Sequence, residues 1–122
     1  YYKIEDETTI PLDQADTSKG SSYAFGVDVN KIGEYKIELT GKSDLGELAQ
    51  MQITVFIQGI VMAAFTWNGT EGKWITITNQ VYLRSKYDII RFYFGESGID
   101  LKDIKFTLVQ EISFNEMILV TD

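Results

Sequence analysis

The chain contains neither cysteine nor histidine. Their absence excludes a thiol nucleophile, the serine–histidine and cysteine–histidine pairs of many hydrolases, and the imidazole and thiolate ligands that zinc prefers. Proton transfer or nucleophilic attack would have to use carboxylates, lysine, tyrosine or hydroxyl groups. The lack of cysteine does not fix the compartment, because disulfides are optional in a secreted domain of 122 residues.

Basic residues are also scarce. The chain has 11 lysines and arginines against 18 acidic residues, which gives a formal net charge of −7. A nucleic-acid partner needs a basic patch that neutralises phosphates, and no such patch is visible. Anionic membrane surfaces would repel the same acidic excess. We therefore expect neither nucleic acid nor a membrane as a partner, which leaves a neutral ligand, a cation or a basic protein.

No long hydrophobic run is present either. The longest, residues 60–65, falls far short of the ~20 apolar residues of a membrane span and has the length of a buried strand. The chain begins at Tyr1 without a methionine, and residues 1–7 have neither the basic start nor the apolar stretch of a signal peptide. We expect a single domain over residues 1–122, excised from a larger secreted or cell-surface multidomain protein.

Hydrophobic and polar residues alternate with a period of two along most of the chain. In residues 34–40, for example, Tyr35, Ile37 and Leu39 face one way and the polar residues face the other. This pattern is typical of strands with one face on a core and the other in water. The residues that we predict to be buried are Ile37, Leu39, Ile53, Val55, Ile75, Ile77, Phe92, Phe94, Ile104 and Phe106.

Loops that contain glycine interrupt the alternation at residues 13–22, 41–46, 68–72 and 95–98. About eight strands with turns at this spacing are typical of a sandwich or barrel. The sequence predicts an all-β domain, a two-sheet antiparallel jelly-roll β-sandwich. Residues 113–122 are apolar enough to form a final strand, or alternatively to lead into a neighbouring domain.

Several short motifs follow one another in an order that is typical of one group of sandwich domains. They are Ile4-Glu5-Asp6-Glu7, residues 23–29 leading into Gly33-Glu34-Tyr35, the glycine-rich loop 68–74 that ends in tryptophan, and residues 98–106. Their order over residues 3–110 resembles that of carbohydrate-binding modules of the galactose-binding-like sandwich type, most closely families 6 and 35. The resemblance implies a sandwich that binds a glycan and holds a structural calcium ion.

Trp74 is the first candidate for a binding residue. By alternation it points away from Ile75 and Ile77, and an exposed ring there can stack on the C–H bonds of a sugar ring. The resemblance implies a second aromatic side chain and a group that holds a hydroxyl, which places Trp74, Tyr23 and Asp100 at the ligand. Those modules often have asparagine where this chain has Asp100. The alternative is that Trp74 covers the rim of the core.

Three carboxylates form the second candidate site. Glu5 and Glu7 are two residues apart, so on one strand they would share a face. The first and last strands of a jelly roll commonly lie side by side, which would bring Asp103 close to both. Clustered carboxylates repel each other unless a cation such as Ca²⁺ joins them. The resemblance implies a structural calcium ion on Glu5, Glu7 and Asp103, and the alternative is a solvated acidic edge that guards an exposed strand.

The other aromatic residues have less specific interpretations. Alternation places Trp67 on the same side as Phe65, which predicts a core position for both. Tyr82, Tyr87 and Tyr93 fit either a second aromatic surface on a sheet or ordinary packing.

These observations together predict a non-catalytic carbohydrate-binding module, a monomer tethered to a catalytic domain. Its role would be to target an attached glycan-active enzyme to a neutral polysaccharide of the glucan or xylan type. The alternative is a structural or protein-interaction sandwich that binds no sugar. An enzyme is the weakest interpretation, because a glycosidase needs two carboxylates about 5 to 9.5 Å apart in a cleft and no such pair is singled out.

Overall fold

The computed structural model describes residues 1–112. Within them the chain forms nine β-strands and no helix, so no helix there could cross a membrane. The strands are β1 (Tyr2–Ile4), β2 (Glu7–Pro11), β3 (Ser22–Val29), β4 (Gly33–Lys42), β5 (Gln50–Ile57), β6 (Ile60–Asn68), β7 (Ile75–Leu83), β8 (Tyr87–Phe94) and β9 (Asp100–Glu111). The final strand predicted at residues 113–122 lies outside the described residues.

The nine strands form two sheets, which we call the five-stranded and the four-stranded sheet. The five-stranded sheet has the order β1-β3-β8-β5-β6 and the four-stranded sheet the order β2-β9-β4-β7. The prediction of an all-β, two-sheet sandwich is confirmed. Each strand pairing described is antiparallel except that of β1 with β3, which is parallel.

The opening stretch of the chain divides between the two sheets. Strand β1 pairs with β3, and after a short crossing at residues 5–6 the chain continues as β2, which pairs with β9. A hydrogen bond from the Glu5 N–H to Thr8 Oγ1, 2.8 Å long, supports the crossing. The prediction of one opening strand that carries Glu5 and Glu7 on a shared face is therefore wrong.

The core lies between the sheets, and strand β4 shows how the alternation builds it. Its odd-numbered residues are buried and its even-numbered residues face solvent at least in part. Tyr35 is fully buried in this row, its hydroxyl donates a hydrogen bond to the Lys31 carbonyl oxygen, and burial raises the pKa of Tyr35 to about 12. The largest fully buried side chains besides Tyr35 are Trp67, Phe65, Phe92, Phe94 and Phe106.

Eight of the ten residues that we predicted to be buried are buried. The exceptions are Ile77, which is half-buried, and Ile75, which is 44% exposed. Both point toward the interior from β7. This strand is an edge of the four-stranded sheet, and it faces β6, an edge of the five-stranded sheet. The interior is open between these two edges, so an inward-facing side chain there still reaches solvent.

The two ends of the sandwich differ in the length of their connections. At one end, which we call the loop end, lie the loops of residues 12–21, 43–49, 69–74 and 95–99. At the opposite end, which we call the hairpin end, the connections at residues 5–6, 30–32, 58–59 and 84–86 are short. Long loops on a rigid scaffold are where binding residues concentrate, so the loop end is the place to look for a site.

Candidate functional site

Two loops of the loop end are joined by a set of backbone contacts. The N–H groups of Gly69 and Gly72 donate hydrogen bonds to the carbonyl oxygens of Ala49 (3.0 Å) and Ser43 (2.7 Å). The hydroxyl of Thr70 accepts a hydrogen bond from the Ser43 N–H and donates one to the Ser43 carbonyl oxygen, at 2.8 and 3.0 Å. These contacts fix loop 69–74 against loop 43–49, and thereby fix the position of Trp74.

Trp74 is the last residue of loop 69–74, directly before strand β7, and it is 44% exposed. It precedes Ile75, which points inward, so its ring lies on the outward face of the four-stranded sheet. The ammonium groups of Lys42 and Lys102 lie 4.8 and 5.8 Å from its ring centroid, within cation–π range. The ring is thus partly accessible, with two hydrogen-bond donors over it.

Asp100 and Trp74 lie on the same outward face, two strand positions apart, which is roughly 10 Å at the usual strand spacing. As the first residue of β9, Asp100 pairs with Lys42 of β4, and the adjacent pair in register joins Gly41 to Ile75. Asp100 of β9, Lys42 of β4 and Trp74, directly before β7, therefore lie in one row on the outward face. The sequence analysis did not predict a role for Lys42. The position of Lys42 at the end of an alternating strand, on its polar face, is the sequence feature that indicates one.

Asp100 also borders a cleft of about 430 Å³ at the loop end. The cleft is lined by residues 16–18, 44–45 and 97–100. Hydrogen bonds from the Ser18 hydroxyl (2.7 Å) and the Ser18 N–H (3.0 Å) to the Asp16 carboxylate lower the pKa of Asp16. This arrangement offers charged acceptors for the hydroxyl groups of a ligand seated in the cleft, which Trp74 itself does not line.

A second cleft, of about 410 Å³, lies where the two sheet edges separate. Ile75 and Ile77 form its apolar side, and Asn68, Glu47 and Glu71 provide polar groups around it. The indole N–H of the buried Trp67 donates a hydrogen bond to the Ile75 carbonyl oxygen (3.4 Å) across the gap between the edges. A mixed apolar and polar lining of this kind suits a sugar ring, which has apolar faces and polar edges.

Tyr23 does not join this site. It lies on β3 of the five-stranded sheet, half-buried against the core, with its ring centroid 6.1 Å from that of Phe25. Strand β6 is the edge of the five-stranded sheet that faces β7. Strand β3 is three strand positions from β6, a separation of roughly 14 Å at the usual strand spacing. The predicted pairing of Tyr23 with Trp74 is therefore wrong, because the two aromatic residues belong to different sheets.

The three carboxylates predicted to hold calcium are not brought together. Glu7 pairs in register with Thr107, whereas Asp103 pairs with Pro11. Pro11 is four residues beyond Glu7 on β2, so about 13 Å separates Glu7 from Asp103 along the strands. The Lys105 ammonium lies 2.7 Å from Glu7 Oε1, and its hydrogen bond and charge lower the pKa of Glu7. Within residues 1–112 no group of three or more acidic residues is placed to hold a metal ion. These residues do not fit a shared calcium ion, and Glu7 fits the alternative of a solvated, charged edge.

The remaining tyrosines do not form one surface. Tyr87 and Tyr93 are exposed on the outward face of the five-stranded sheet, whereas Tyr82 lies on the outward face of the four-stranded sheet. Trp67 packs in the core against Phe65 at a centroid distance of 5.8 Å, as predicted.

Solved structures identify the class of fold. No family model matches the chain. A family 35 carbohydrate-binding module from Clostridium thermocellum has a TM-score of 0.66 with 11% identity over 86% of this chain and 90% of that one. The module CBM6cm-2 from Cellvibrio mixtus lichenase 5A, solved with cellotriose, has a TM-score of 0.65 with 17% identity over 86% of this chain and 88% of that one. The chain has the β-sandwich fold of carbohydrate-binding modules of families 6 and 35, as its motifs predicted.

A curated relative shows the context in which a similar sequence occurs. A β-glucosidase from Ruminococcus albus is 37% identical to the chain over 110 residues. The match covers 89% of this chain but only 12% of the β-glucosidase. The chain thus spans about an eighth of the length of the relative that it matches.

Proposed function

We propose that the chain is a non-catalytic carbohydrate-binding module that holds an attached glycoside hydrolase on a neutral polysaccharide of the glucan or xylan type. The observation that carries this proposal is the exposed Trp74 ring, fixed by two joined loops at the loop end of the sandwich. The shared fold with a module solved with cellotriose and the similarity to part of a β-glucosidase support it.

The proposed contact combines stacking with hydrogen bonds. A pyranose ring laid on the Trp74 indole buries its apolar C–H face, while its hydroxyl groups extend sideways. In this proposal the ammonium groups of Lys42 and Lys102, which lie over the ring, donate to those hydroxyls, and the Asp100 carboxylate accepts from them. Shallow stacking of one or two sugar rings gives a dissociation constant on the order of micromolar to millimolar.

Tethering explains how such weak binding is useful. A module on the same polypeptide as a catalytic domain raises the effective concentration of that domain at the polymer surface. In this proposal the attached domain performs the hydrolysis and the module does not. Because polysaccharides of this type lie outside the cell, the proposal includes a secreted or cell-surface location.

A specific observation favours the alternative of a protein-interaction domain. Tyr87, Ile89 and Tyr93 are exposed on the outward face of the five-stranded sheet, where they form an apolar strip along β8. An exposed apolar strip is a common feature of protein contact surfaces. If the domain binds no sugar, this face becomes the leading candidate for its function.

Affinity electrophoresis distinguishes the two functions. Native gels with and without β-glucan, xylan, mannan or galactan would be run with the wild type, Trp74→Ala and Tyr87→Ala. Tyr87 is the matched control, since it is an aromatic residue of 54% exposure on the other sheet. We expect a polysaccharide to retard the wild type and Tyr87→Ala but not Trp74→Ala, with the three melting temperatures nearly equal because an exposed ring contributes little to the core.

Three results would contradict the proposal. If no polysaccharide retards the wild type, the protein-interaction alternative takes its place. If Tyr87→Ala loses binding and Trp74→Ala keeps it, the sugar site lies on the five-stranded sheet. If Trp74→Ala unfolds, the ring has a packing role.

A further inference from the structure

The outward face of the five-stranded sheet carries an apolar strip that surrounds one arginine. Tyr87, Ile89 and Tyr93 are 54%, 47% and 40% exposed along β8. Arg91 lies between Ile89 and Tyr93 on the same side of this strand. Its guanidinium carbon is 4.2 Å from the centroid of the Phe56 ring on β5, within cation–π range. We call these five residues the β8 face, and a cation lies in its middle.

The strand register shows that Arg91 has no acidic neighbour on this face. It pairs with Ala24 of β3 and with Phe56 of β5, and the next outward residues of β3, Ser22 and Gly26, are uncharged as well. Among residues 1–112 no ion pair includes Arg91, although the chain has 18 acidic residues. The guanidinium group is therefore available to an acceptor from another molecule or domain.

The size and shape of this side of the sandwich fit a protein surface. Strands β3, β5, β6 and β8 are eight or nine residues long, so their outward side measures about 27 by 19 Å, roughly 500 Å². Interfaces between domains of one polypeptide cover about 300 to 750 Å² on each partner. The clefts at the loop end and between the sheet edges do not include Ile89, Arg91 or Tyr93. Exposed tyrosine and arginine outside a cleft are typical of protein contacts, whereas ligand sites are concave.

We propose that the β8 face docks on the glycoside hydrolase domain attached to the chain, and that a carboxylate of that domain pairs with Arg91. The parallel N–H donors of a guanidinium group match the two oxygens of a carboxylate. An apolar surface that covered Arg91 without such a group would leave a buried charge unpaired, which is costly. The net charge of −7 repels a broadly acidic surface, so the carboxylate is a single group within an apolar patch.

Attachment is the reason for choosing this partner. The stretch of the Ruminococcus albus β-glucosidase that matches the chain is only 12% of that enzyme, so a similar sequence occurs inside a much longer polypeptide. Two domains joined by a short linker meet at an effective concentration in the millimolar range, which lets a contact of modest area form. The inference rests on the tethering in the proposed function but not on sugar binding, because Trp74 lies on the outward face of the other sheet.

Hydroxyl-radical footprinting with mass spectrometry tests the docking, since it measures the solvent exposure of single side chains. The isolated chain and the full-length polypeptide that contains it would be oxidised side by side, without glycan. We expect Tyr87 and Tyr93 to react at least about threefold more slowly in the full-length polypeptide. Tyr82 and Trp74 are the matched controls on the four-stranded sheet, and their rates should be the same in both forms.

Charge variants test the pairing of Arg91 with a carboxylate. Arg91→Glu repels a carboxylate and Arg91→Gln removes the charge, so both should return Tyr87 and Tyr93 in the full-length polypeptide to the rates of the isolated chain. Lys36→Glu makes the same reversal of charge on the outward face of the four-stranded sheet and should leave these rates unchanged. The melting temperatures of the isolated variants show whether each one folds.

Several results would overturn the inference. Equal rates at Tyr87 and Tyr93 in the two forms would do so, as would protection that persists in both Arg91 variants. A dimer of the isolated chain in analytical ultracentrifugation, with these tyrosines protected, would assign the face to a second copy. Protection of the isolated chain by a polysaccharide would assign it to sugar. Affinity electrophoresis of the isolated chain is independent of docking, so a failure of sugar binding and a failure of docking are told apart.

Discussion

Trp67 and Trp74 show how one residue type takes two roles within a short stretch of chain. Trp67 is 1% exposed and stacks on Phe65 in the core, whereas Trp74 lies beyond the strand end and is accessible. Their sequence positions predicted this difference. Alternation with Phe65 places Trp67 inward, and alternation with Ile75 places Trp74 outward.

Asp88 is a buried carboxylate whose ionisation affects stability. Burial raises its pKa above the ordinary value of 3.8. At pH values well below 3.8 the carboxyl is protonated in both the folded and the unfolded chain. As the pH rises further, the unfolded chain loses this proton more readily than the folded chain, so the free energy of unfolding falls until the folded-state pKa is passed.

We therefore predict that Asp88→Asn removes one pH-dependent contribution to stability. The difference in free energy of unfolding, wild type minus Asp88→Asn, should decrease as the pH rises from about 3 to 7. Urea denaturation at a series of pH values measures it. The lowered pKa values of Glu7 and Asp16 act in the opposite direction, but they are common to both proteins and cancel. A difference that stays constant with pH would show that Asp88 ionises normally.

At the scale of elements, the two loops behind Trp74 depend on one close approach. A Cβ atom added to Gly69 would lie 2.0 Å from the Gly46 carbonyl oxygen and 2.3 Å from that of Leu45. No side chain fits there without moving one loop away from the other. Gly46 itself has open space around its α-carbon, so a methyl group there meets nothing within 4 Å.

Gly69→Ala and Gly46→Ala form a matched pair of variants. We predict that Gly69→Ala destabilises the fold by about 1–3 kcal/mol, as overpacking does, and weakens polysaccharide binding because Trp74 moves with its loop. Gly46→Ala should leave both properties nearly unchanged. Thermal unfolding and affinity electrophoresis measure the two effects. Equal behaviour of the two variants would mean that the loop contact does not control the site.

The division of the opening stretch into β1 and β2 affects the predicted calcium site. Glu5 lies at the crossing between the sheets, Glu7 is held by Lys105, and Asp103 is four register positions away from Glu7. We predict that a chelator leaves the melting temperature unchanged, because the native chain lacks a site at these residues whose occupation would stabilise it. A lower melting temperature in chelator that calcium restores, and that Asp103→Ala abolishes, would reinstate the calcium hypothesis.

At the scale of the whole molecule, the two outward faces differ in polarity. The four-stranded sheet presents charged residues of both signs, among them Glu34, Lys36, Glu38 and Lys105. The five-stranded sheet presents mainly aromatic and aliphatic side chains along β8, with Arg91 over the Phe56 ring at 4.2 Å. The Trp74 site belongs to the charged face, and among residues 1–112 the apolar face along β8 is exposed.

The net charge of −7 leads to a prediction about salt. Binding to a neutral polysaccharide releases no counterions, so the dissociation constant should change by less than about threefold between low and high salt. Isothermal titration at about 20 and 500 mM NaCl with a soluble glucan measures it, with a polyanionic glycan as the control. Binding that weakens tenfold in high salt would indicate that the ligand is charged.

The sequence by itself determined most of the strands, most of the core and the outward direction of Trp74. Each of these follows from the alternation of polar and apolar residues, which is a local property of a strand. The sequence also indicates that Asp88 is buried, because Asp88 shares its face of β8 with Ile90 and Phe92.

Only the tertiary structure decided which side chains meet. Tyr23 and Trp74 fall on different sheets, Glu5 and Glu7 are separated by a crossing, and Ile75 is exposed because two sheet edges stay apart. The sheet to which a strand belongs depends on pairings between segments that are far apart in the chain. The alternation of polar and apolar residues carries no information about those pairings, because a strand has the same inward face in either sheet of a sandwich.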